Sequence, residues 1–319
     1  KENFLMEQNV LTNLKLRASY GLTGNNRIGD FDYLTALTFP VAGGYSYNNS
    51  TPSKGTIISS IGNPLLKWET TKQADLGVDM GFFKDRITLE VDLYNKVTDD
   101  LLLLADIPRT TGFLTAYKNV GKMSNKGLEI SLNSRNINSK NFRWSSAFNI
   151  SFNKNKVLAL AENQNALPAS VNFNNSYSAL YSYVSILGQP IGQMYGLLFD
   201  GVYQLDEFNI DGNGNYVLKS NIPTNGNVST VIKPGHIKYK DLNDDGQINT
   251  SDYTIIGRSL PIHTGGFTNN FNYKDFDLNV LMQWSYGNDL INGNRYLFEG
   301  SSRKNLNQFA SYADRWTID

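Results

Sequence analysis

The sequence predicts an all-β protein, namely a portion of an antiparallel transmembrane β-barrel with long extracellular loops. Three observations predict this fold class. Apolar and polar residues alternate with a period of two in seven segments, and the connections between these segments are alternately short and long. Residues that favour turns and strands are also abundant, with 27 Gly, 18 Tyr and 17 Phe among 319 residues.

The alternating segments give seven predicted strands, each with apolar residues at every second position. In the first three strands these positions are Leu14, Leu16, Ala18 and Tyr20; Ala74, Leu76, Val78, Met80 and Phe82; and Ile87, Leu89, Val91 and Leu93. In the last four they are Leu128, Ile130 and Leu132; Phe142, Trp144, Phe148, Ile150 and Phe152; Phe267, Phe271 and Tyr273; and Phe276, Leu278, Val280, Met282 and Trp284.

The connections between the predicted strands decide between a membrane barrel and other all-β folds. Three are short, at 83–86, 136–141 and 274–275. The other connections are long, with about 50 residues before Ala74, about 30 before Leu128 and over ~100 between Phe152 and Phe267. In an antiparallel meander every short turn then lies on one rim and every long loop on the other, as in outer-membrane barrels.

The polar face of the predicted sheet carries ionised residues in mid-strand, among them Asp75 and Asp79. Such groups suit a water-filled lumen and would destabilise a dry sandwich core. We therefore expect one face toward lipid, with Leu89, Val91, Leu128, Ile130 and Val280, and one toward the lumen, with Glu90, Asp92, Glu129 and Asn279. A large soluble β-domain with elaborate loops remains the alternative.

Seven strands are too few for a closed barrel of this type. Bacterial outer-membrane barrels have an even number of strands, from about eight upward. An open sheet edge in lipid would leave backbone groups without hydrogen-bond partners. We therefore expect the chain to be a piece of a larger polypeptide.

Composition excludes several classes of function. Lys and Arg number 29 and Asp and Glu also 29, so no basic field indicates binding to nucleic acid. The absence of cysteine excludes disulfides, thiolate metal sites and cysteine nucleophiles. His236 and His263 match no catalytic or metal-binding signature and are predicted to be surface-loop residues. The sequence thus predicts a protein that is not an enzyme.

The sharpest local motif lies at 241–252 and has the spacing of a calcium-binding loop. Its predicted ligands are Asp241, Asn243, Asp245, the backbone carbonyl of Gln247, and Asp252 in the place of the usual glutamate. Gly246 permits the sharp turn, and Ile248 is expected to point inward. Gly257 and Pro261 argue against a long helix after the loop. The alternative is a solvated Asp-Gly turn.

Two further loop features are weaker. The segment 211–216 begins like a second calcium loop, but Tyr216 occupies the glycine position, so a hairpin turn between Phe208 and 216–218 is the better interpretation. Tyrosines in the long loops suit stacking on sugars or peptides, or packing of the loops against one another. They are Tyr45, Tyr47, Tyr177, Tyr181 and Tyr183.

Several motifs together resemble the SusC/RagA-type TonB-dependent transporters of Bacteroidetes outer membranes. They are LKLRASYGLTGNN at 14–26, NPLLKWET at 63–70, NKGLEI at 125–130, GQPIG at 188–192, the segment 234–252, and GGFTNNF at 265–271. They follow the family order across nearly the whole chain. The resemblance implies a 22-stranded barrel with a plug, energised by the TonB complex and covered by a SusD-like surface lipoprotein.

On this basis residues 1–319 are expected to be a portion of the receptor barrel, without the plug and the last strands. Residues 155–265 are expected to form a long extracellular loop that contains the calcium motif. The implied function is import of oligosaccharide or peptide nutrients across the outer membrane, with the strands in contact with lipid and a bound Ca²⁺ in the loop. The alternative function is a calcium-stabilised extracellular binding or adhesin domain.

Overall fold

The computed structural model describes residues 10–26, 29–39, 44–46, 49–50, 52–161, 164–174, 177–178, 182–299 and 305–318. Strands dominate. In chain order they are β1 (Leu11–Asn25), β2 (Ala36–Thr38), β3 (Gly44–Tyr45), β4 (Ser53–Lys54), β5 (Ile57–Ser60), β6 (Glu69–Phe82), β7 (Ile87–Asp106), β8 (Thr115–Asn138), β9 (Phe142–Ala159), β10 (Ala166–Ala169), β11 (Asn172–Asn174), β12 (Tyr177–Ser178), β13 (Tyr183–Ile186), β14 (Gln193–Gly196), β15 (Phe199–Val202), β16 (Phe208–Ile210), β17 (Tyr216–Leu218), β18 (Ile237–Tyr239), β19 (Thr254–Gly257), β20 (His263–Tyr273) and β21 (Phe276–Tyr286).

Helical structure is short. In the part of the chain that the structure describes, one α-helix, α1, covers Gly293–Phe298, and 3-10 turns lie at Arg109–Thr111, Leu205–Glu207, Thr250–Asp252 and Ala310–Asp314. Among the described residues, none of the helices has both the length and the apolar character needed to cross a membrane.

One sheet contains all seven predicted strands, in the order β1-β6-β7-β8-β9-β20-β21. Every neighbouring pair in it is antiparallel. The seven strand predictions are therefore confirmed, and each observed strand is as long as its predicted core or longer. The remaining strands form small sheets, the largest with the order β10-β13-β14-β19.

The prediction of a connection of about 30 residues before Leu128 is wrong. Strand β7 continues to Asp106 and β8 begins at Thr115, so that only 107–114 connect them. Two register shifts, between Thr98 and Leu101 and between Leu101 and Leu102, interrupt the regular pairing of β7 with β8. The alternation that marks a strand in the sequence is interrupted there, although pairing continues.

The other connections follow the predicted pattern. Residues 83–86, 139–141 and 274–275 form the short turns at one end of the sheet. At the other end, 26–68 and 160–262 form the long connections. The long connection expected at 155–265 thus begins after β9 ends at Ala159, and it contains the small strands β10–β19.

The register separates an apolar face from a polar face. Paired residues point to the same side of a sheet, so Leu16, Val78, Val91, Ile130 and Ile150 form one apolar row. Apolar side chains of this face are exposed, with Leu16 at 76% and Leu76 at 57%, or partly exposed, as Val78 and Val91 are. A large exposed apolar face of this kind is typical of a barrel wall in contact with lipid. The predicted lipid-facing and lumen-facing residues fall on opposite faces, as expected.

The chain divides into two compact units. The first holds the seven-stranded sheet, with the described residues of Lys1–Leu167, Ile186–Ile191 and Pro261–Tyr286. The second holds the described residues of Pro168–Ser185, Gly192–Leu260 and Gly287–Asp319. Its core consists of Tyr203, Phe208, Leu218 and Ile232. The Tyr203 and Phe208 rings meet edge to face at 6.2 Å, which stabilises this unit by aromatic packing.

Candidate functional site

A network of ion pairs lies on the polar face of the seven-stranded sheet. Arg17 contacts Asp79 on the neighbouring strand at 2.7 Å and Asp92 on the next strand at 2.9 Å. Lys15 lies 3.7 Å from the same Asp79 carboxylate. The register places Gly77 between Arg17 and Asp92, and the missing side chain leaves room for the guanidinium to cross β6. The inward carboxylates of Asp79 and Asp92 are therefore both paired with the same guanidinium.

The rest of the polar face carries donors and acceptors for hydrogen bonds with water or a polar solute. Ser19 donates to Asp75 at 3.1 Å, and Ser151 donates to Glu129 at 3.4 Å. The Tyr94 ring packs over Gly127, and its hydroxyl donates to Asn153 at 3.2 Å. These side chains are at least partly exposed. The arrangement can bind hydrated polar groups along the sheet.

The loop 241–252 folds around its own carboxylates. The Asp241 carboxylate accepts the amide N–H groups of Asp245 at 3.3 Å and Gly246 at 2.7 Å. The Asn243 side-chain oxygen also accepts from Asp245, at 3.1 Å. Gly246 has φ +78°, in the left-handed region that glycine adopts without steric penalty. The turn predicted at Gly246 is therefore present.

The second half of the loop is anchored by two buried residues. Asp252 is fully buried, and its carboxylate accepts the amides of Leu242 at 2.9 Å and Asn249 at 2.8 Å. Ile248 is 3% exposed, so the prediction that it points inward is confirmed. After the short turn at Thr250–Asp252 the chain enters β19 rather than a helix, as Gly257 and Pro261 predict.

The donor chemistry of the loop fits Ca²⁺, which prefers oxygen ligands. Asp241, Asn243, Asp245 and Asp252 supply side-chain oxygens, and the Gln247 carbonyl accepts from the Asn249 side chain at 3.3 Å. In the described residues, however, no three His, Asp or Glu side chains are grouped closely enough to hold a metal. The carboxylates instead accept backbone amides of the loop.

A cleft that sequence reasoning missed lies between the segment 61–67 and the hairpin of β7 and β8. Its volume is about 700 Å³, and Lys67, Asp100, Tyr117 and Asn119 contribute to its lining. Asn119 accepts the Lys67 amide at 2.7 Å and donates to the Lys67 carbonyl at 2.8 Å. The only sequence signal here is the motif at 63–70, which indicated the family and no cleft.

The weaker loop predictions have mixed outcomes. The hairpin expected around 211–216 is confirmed, since β16 pairs with β17 from Phe208 to Ile210. Hydrogen bonds from Asn215 and from the Asn213 amide hold the pKa of Asp211 below its usual value. The proposed tyrosine cluster, apart from Tyr183, lies outside the residues whose side chains the structure describes.

The two histidines differ in setting. His236 is exposed in a loop, as predicted, and its Nδ1 accepts the Lys233 amide at 3.3 Å. His263 is not a loop residue, because it begins β20 and is half-buried. Its ring stacks on Tyr286 at 5.0 Å, and the Trp284 indole donates to its Nδ1 at 3.2 Å. The environment of His263 is that of a packed aromatic residue.

Comparisons with known proteins agree with this architecture. The family model described as TonB dependent receptor-like, beta-barrel matches residues 9–319. TonB-dependent receptor P3 of Formosa agariphila is 36% identical over 294 residues, which is 92% of this chain and 27% of that protein. TonB-dependent receptor SusC of Bacteroides thetaiotaomicron is 30% identical over 297 residues, 90% of this chain and 26% of that protein.

Solved structures give the same result. The RagAB peptide transporter superposes with a TM-score of 0.74 at 26% identity, over 99% of this chain and 31% of the matched one. The chain therefore spans about a quarter to a third of the length of the proteins it matches. The family consists of outer-membrane receptors and transporters rather than enzymes, and the alternative of an adhesin domain is not favoured.

A seven-stranded antiparallel sheet with one exposed apolar face, short turns at one end and long connections at the other is the wall of an outer-membrane barrel. The family match covers that wall and the long connections together. The chain belongs to the TonB-dependent receptor-like β-barrel family.

Proposed function

We propose that the chain forms part of the wall and extracellular loops of a TonB-dependent importer of oligosaccharides or peptides. The observation that carries the proposal is the pairing of an exposed apolar face with a charged face on one sheet, within the family match. An apolar outer face holds the wall in lipid, and a polar inner face lets a hydrated solute pass.

The proposed partners are a SusD-like surface lipoprotein over the extracellular loops and the TonB complex, which would act through parts of the receptor outside this chain. One of the solved structures similar to this chain is that of the RagAB peptide transporter, and this supports peptide as one substrate class. The likeness to SusC supports the same architecture without fixing the substrate. Import by such a receptor requires no catalytic step from these residues.

We further propose that the loop 241–252 binds Ca²⁺ through Asp241, Asn243, Asp245, the Gln247 carbonyl and Asp252. The ion would neutralise carboxylates of the loop and fix the turn, with a structural role only. The support is the ligand spacing and the oxygen-rich donor set around Gly246. The hydrogen bonds to backbone amides already hold the loop near the required turn.

The experiment that tests import uses a strain without the full-length receptor gene, complemented with that gene. The strain grows on an oligosaccharide mixture or a peptide mixture as the only carbon source, with TonB present or absent. We expect growth on one mixture to require both the receptor and TonB, and a lipoprotein to co-purify with the receptor. Growth that is equal in all strains on both mixtures would contradict the proposal.

A further inference from the structure

Five lysines lie on the apolar face of the seven-stranded sheet, just beyond the apolar rows. We call Lys72, Lys122, Lys126, Lys154 and Lys156 the lysine belt. The last apolar row contains Leu93, Leu128 and Phe152. Two residues further along the same strands, Lys126 and Lys154 are paired with each other and therefore point to the same side.

The other members of the lysine belt continue this surface. Lys72 and Lys156 belong to the next register row, together with Val97 and Ser124. Lys122 pairs with Ala159 one step beyond that row. All five lysines lie on the half of the sheet away from the short turns at 83–86, 139–141 and 274–275. The lysine belt is thus on the extracellular side of the lipid-facing band.

The positive charge of the belt is only partly neutralised within the chain. Asp99 lies 3.3 Å from Lys72 and 2.8 Å from Lys122. Within the part of the chain that the structure describes, Lys126, Lys154 and Lys156 have no ion pair. All three are exposed. Lys126 and Lys154 are directly opposite across two strands, where like charges repel each other.

The position of the lysine belt indicates what neutralises it. Successive rows on one face are about 6.6 Å apart along the strands. The first lysine row, with Lys126 and Lys154, therefore lies about that distance from the last apolar row. That depth corresponds to the headgroup layer of the outer leaflet. Lysine stems lie along apolar surface and extend their charge into this layer. Phosphate groups of lipids are negatively charged, opposite to the lysine belt, and they lie at that depth.

We propose that the lysine belt binds the phosphate groups of a phosphorylated lipid in the outer leaflet. Lys126, Lys154 and Lys156 provide the free charges, and the apolar rows below them contact the acyl chains. The site is on the outside of the wall and is separate from the import path. The inference rests on the outer-membrane location and does not depend on which nutrient is imported.

The test measures lipid retained by the full-length receptor in detergent, by native mass spectrometry. The probe is phosphorylated lipid A, and phosphate-free lipid A and inorganic phosphate form separate arms. We expect the receptor to retain the phosphorylated lipid roughly tenfold better than the phosphate-free lipid, with weaker retention at high salt. Inorganic phosphate should not displace it. Equal retention of both lipids, or displacement by inorganic phosphate alone, would overturn the proposal.

Matched variants separate this surface from general charge effects. Lys126→Gln with Lys154→Gln should lower retention of phosphorylated lipid A roughly tenfold, whereas Lys126→Arg with Lys154→Arg should preserve it. The control is Lys84→Gln with Lys274→Gln, which removes the same charge at the short turns. Each variant is first shown to migrate as a folded barrel. Unchanged retention in the Gln pair, or an equal loss in the control, would contradict the lipid site.

Discussion

The Arg17 guanidinium contacts the Asp92 carboxylate at 2.9 Å although an entire strand separates β1 from β7. The contact is possible because Gly77 of the intervening strand has no side chain between them. Arg17 also contacts Asp79 at 2.7 Å, so one cation ties three strands together. The charged face is therefore a polar surface whose ion pairs also link β1, β6 and β7.

Replacement of Gly77 should disrupt the ion pairs of Arg17. In Gly77→Val, the new side chain would clash with the Asp92 carboxylate, and its Cβ would lie 2.8 Å from Arg17 Cζ. We expect the full-length receptor to lose about 1–3 kcal/mol of unfolding free energy, measured by urea denaturation in lipid vesicles. Gly21→Val is the control, because a Cβ at Gly21 meets nothing within 4 Å. Equal stability of the two variants would contradict the claim that the Arg17 ion pairs across Gly77 stabilise the sheet.

Removal of the loop carboxylates should abolish calcium binding. We expect Asp241→Ala with Asp245→Ala to eliminate the calorimetric Ca²⁺ signal of the full-length receptor and to raise protease cleavage near Asn225. The physical link is Thr224, whose carbonyl accepts the Ile248 amide at 3.2 Å.

The matched control for the calcium loop is Asp206→Ala with Asp211→Ala, which removes two nearby carboxylates that the motif does not include. This control should bind Ca²⁺ like the wild type. Proteolysis that is the same with calcium and with EGTA would show that the loop is only an Asp-Gly turn.

The second unit should lose stability at high pH through Tyr203. Burial, with a smaller contribution from Glu207, raises the pKa of Tyr203 to about 12. The folded state therefore favours the protonated phenol, so this stability is complete below pH ~10 and is lost as the pH rises toward ~12. The loss should approach roughly 2–3 kcal/mol, since one pKa unit corresponds to ~1.4 kcal/mol.

Absorbance at 295 nm and thermal melts from pH 8 to 12 measure the Tyr203 effect in the full-length receptor. Tyr203→Phe should remove this pH dependence, although it also removes the hydrogen bond from the hydroxyl to the Pro223 carbonyl at 2.7 Å. Tyr216→Phe, on the partly buried edge of the same core, is the control. An identical pH profile for the wild type and Tyr203→Phe would contradict the assignment.

The two ends of the sheet should lie on opposite sides of the membrane. Cysteines introduced at Asp85 and Ser139 lie in the short turns, and one at Asn225 lies in the connection 160–262. In intact cells a membrane-impermeant maleimide should label only position 225, and all three should react after lysis. Labelling of positions 85 and 139 in intact cells would reverse or refute the orientation.

The sequence predicts the central part of each long strand well, because there the strand has lipid on one face and water on the other. Between lipid and water, every second residue must be apolar, as in Leu89 and Val91 on either side of Glu90. The continuation of β7 past Asn95 has no such alternation, because register shifts interrupt it and four leucines follow one another at 101–104. The strand ends and the 107–114 connection could not be read from the pattern for this reason.

In the candidate sites too, features that depend on local spacing are predictable from the sequence, and features that depend on distant residues are not. The turn at Gly246 and the inward position of Ile248 follow from local spacing, and both were predictable. The link between Asn119 and Lys67 joins residues far apart in sequence, and it depends on a register shift beside Leu102. No local pattern specifies that register, so the cleft lined by Asn119 appears only in the structure.

The central claim is that one face of the sheet contacts lipid and the other contacts water. Spin labels at Leu76 and Leu93, and at Glu90 and Glu129, test it in the full-length receptor reconstituted in vesicles. We predict that oxygen, which partitions into lipid, relaxes the Leu76 and Leu93 labels more strongly, and that a water-soluble nickel chelate relaxes the Glu90 and Glu129 labels. Equal accessibility of all four labels to the nickel chelate would contradict the claim.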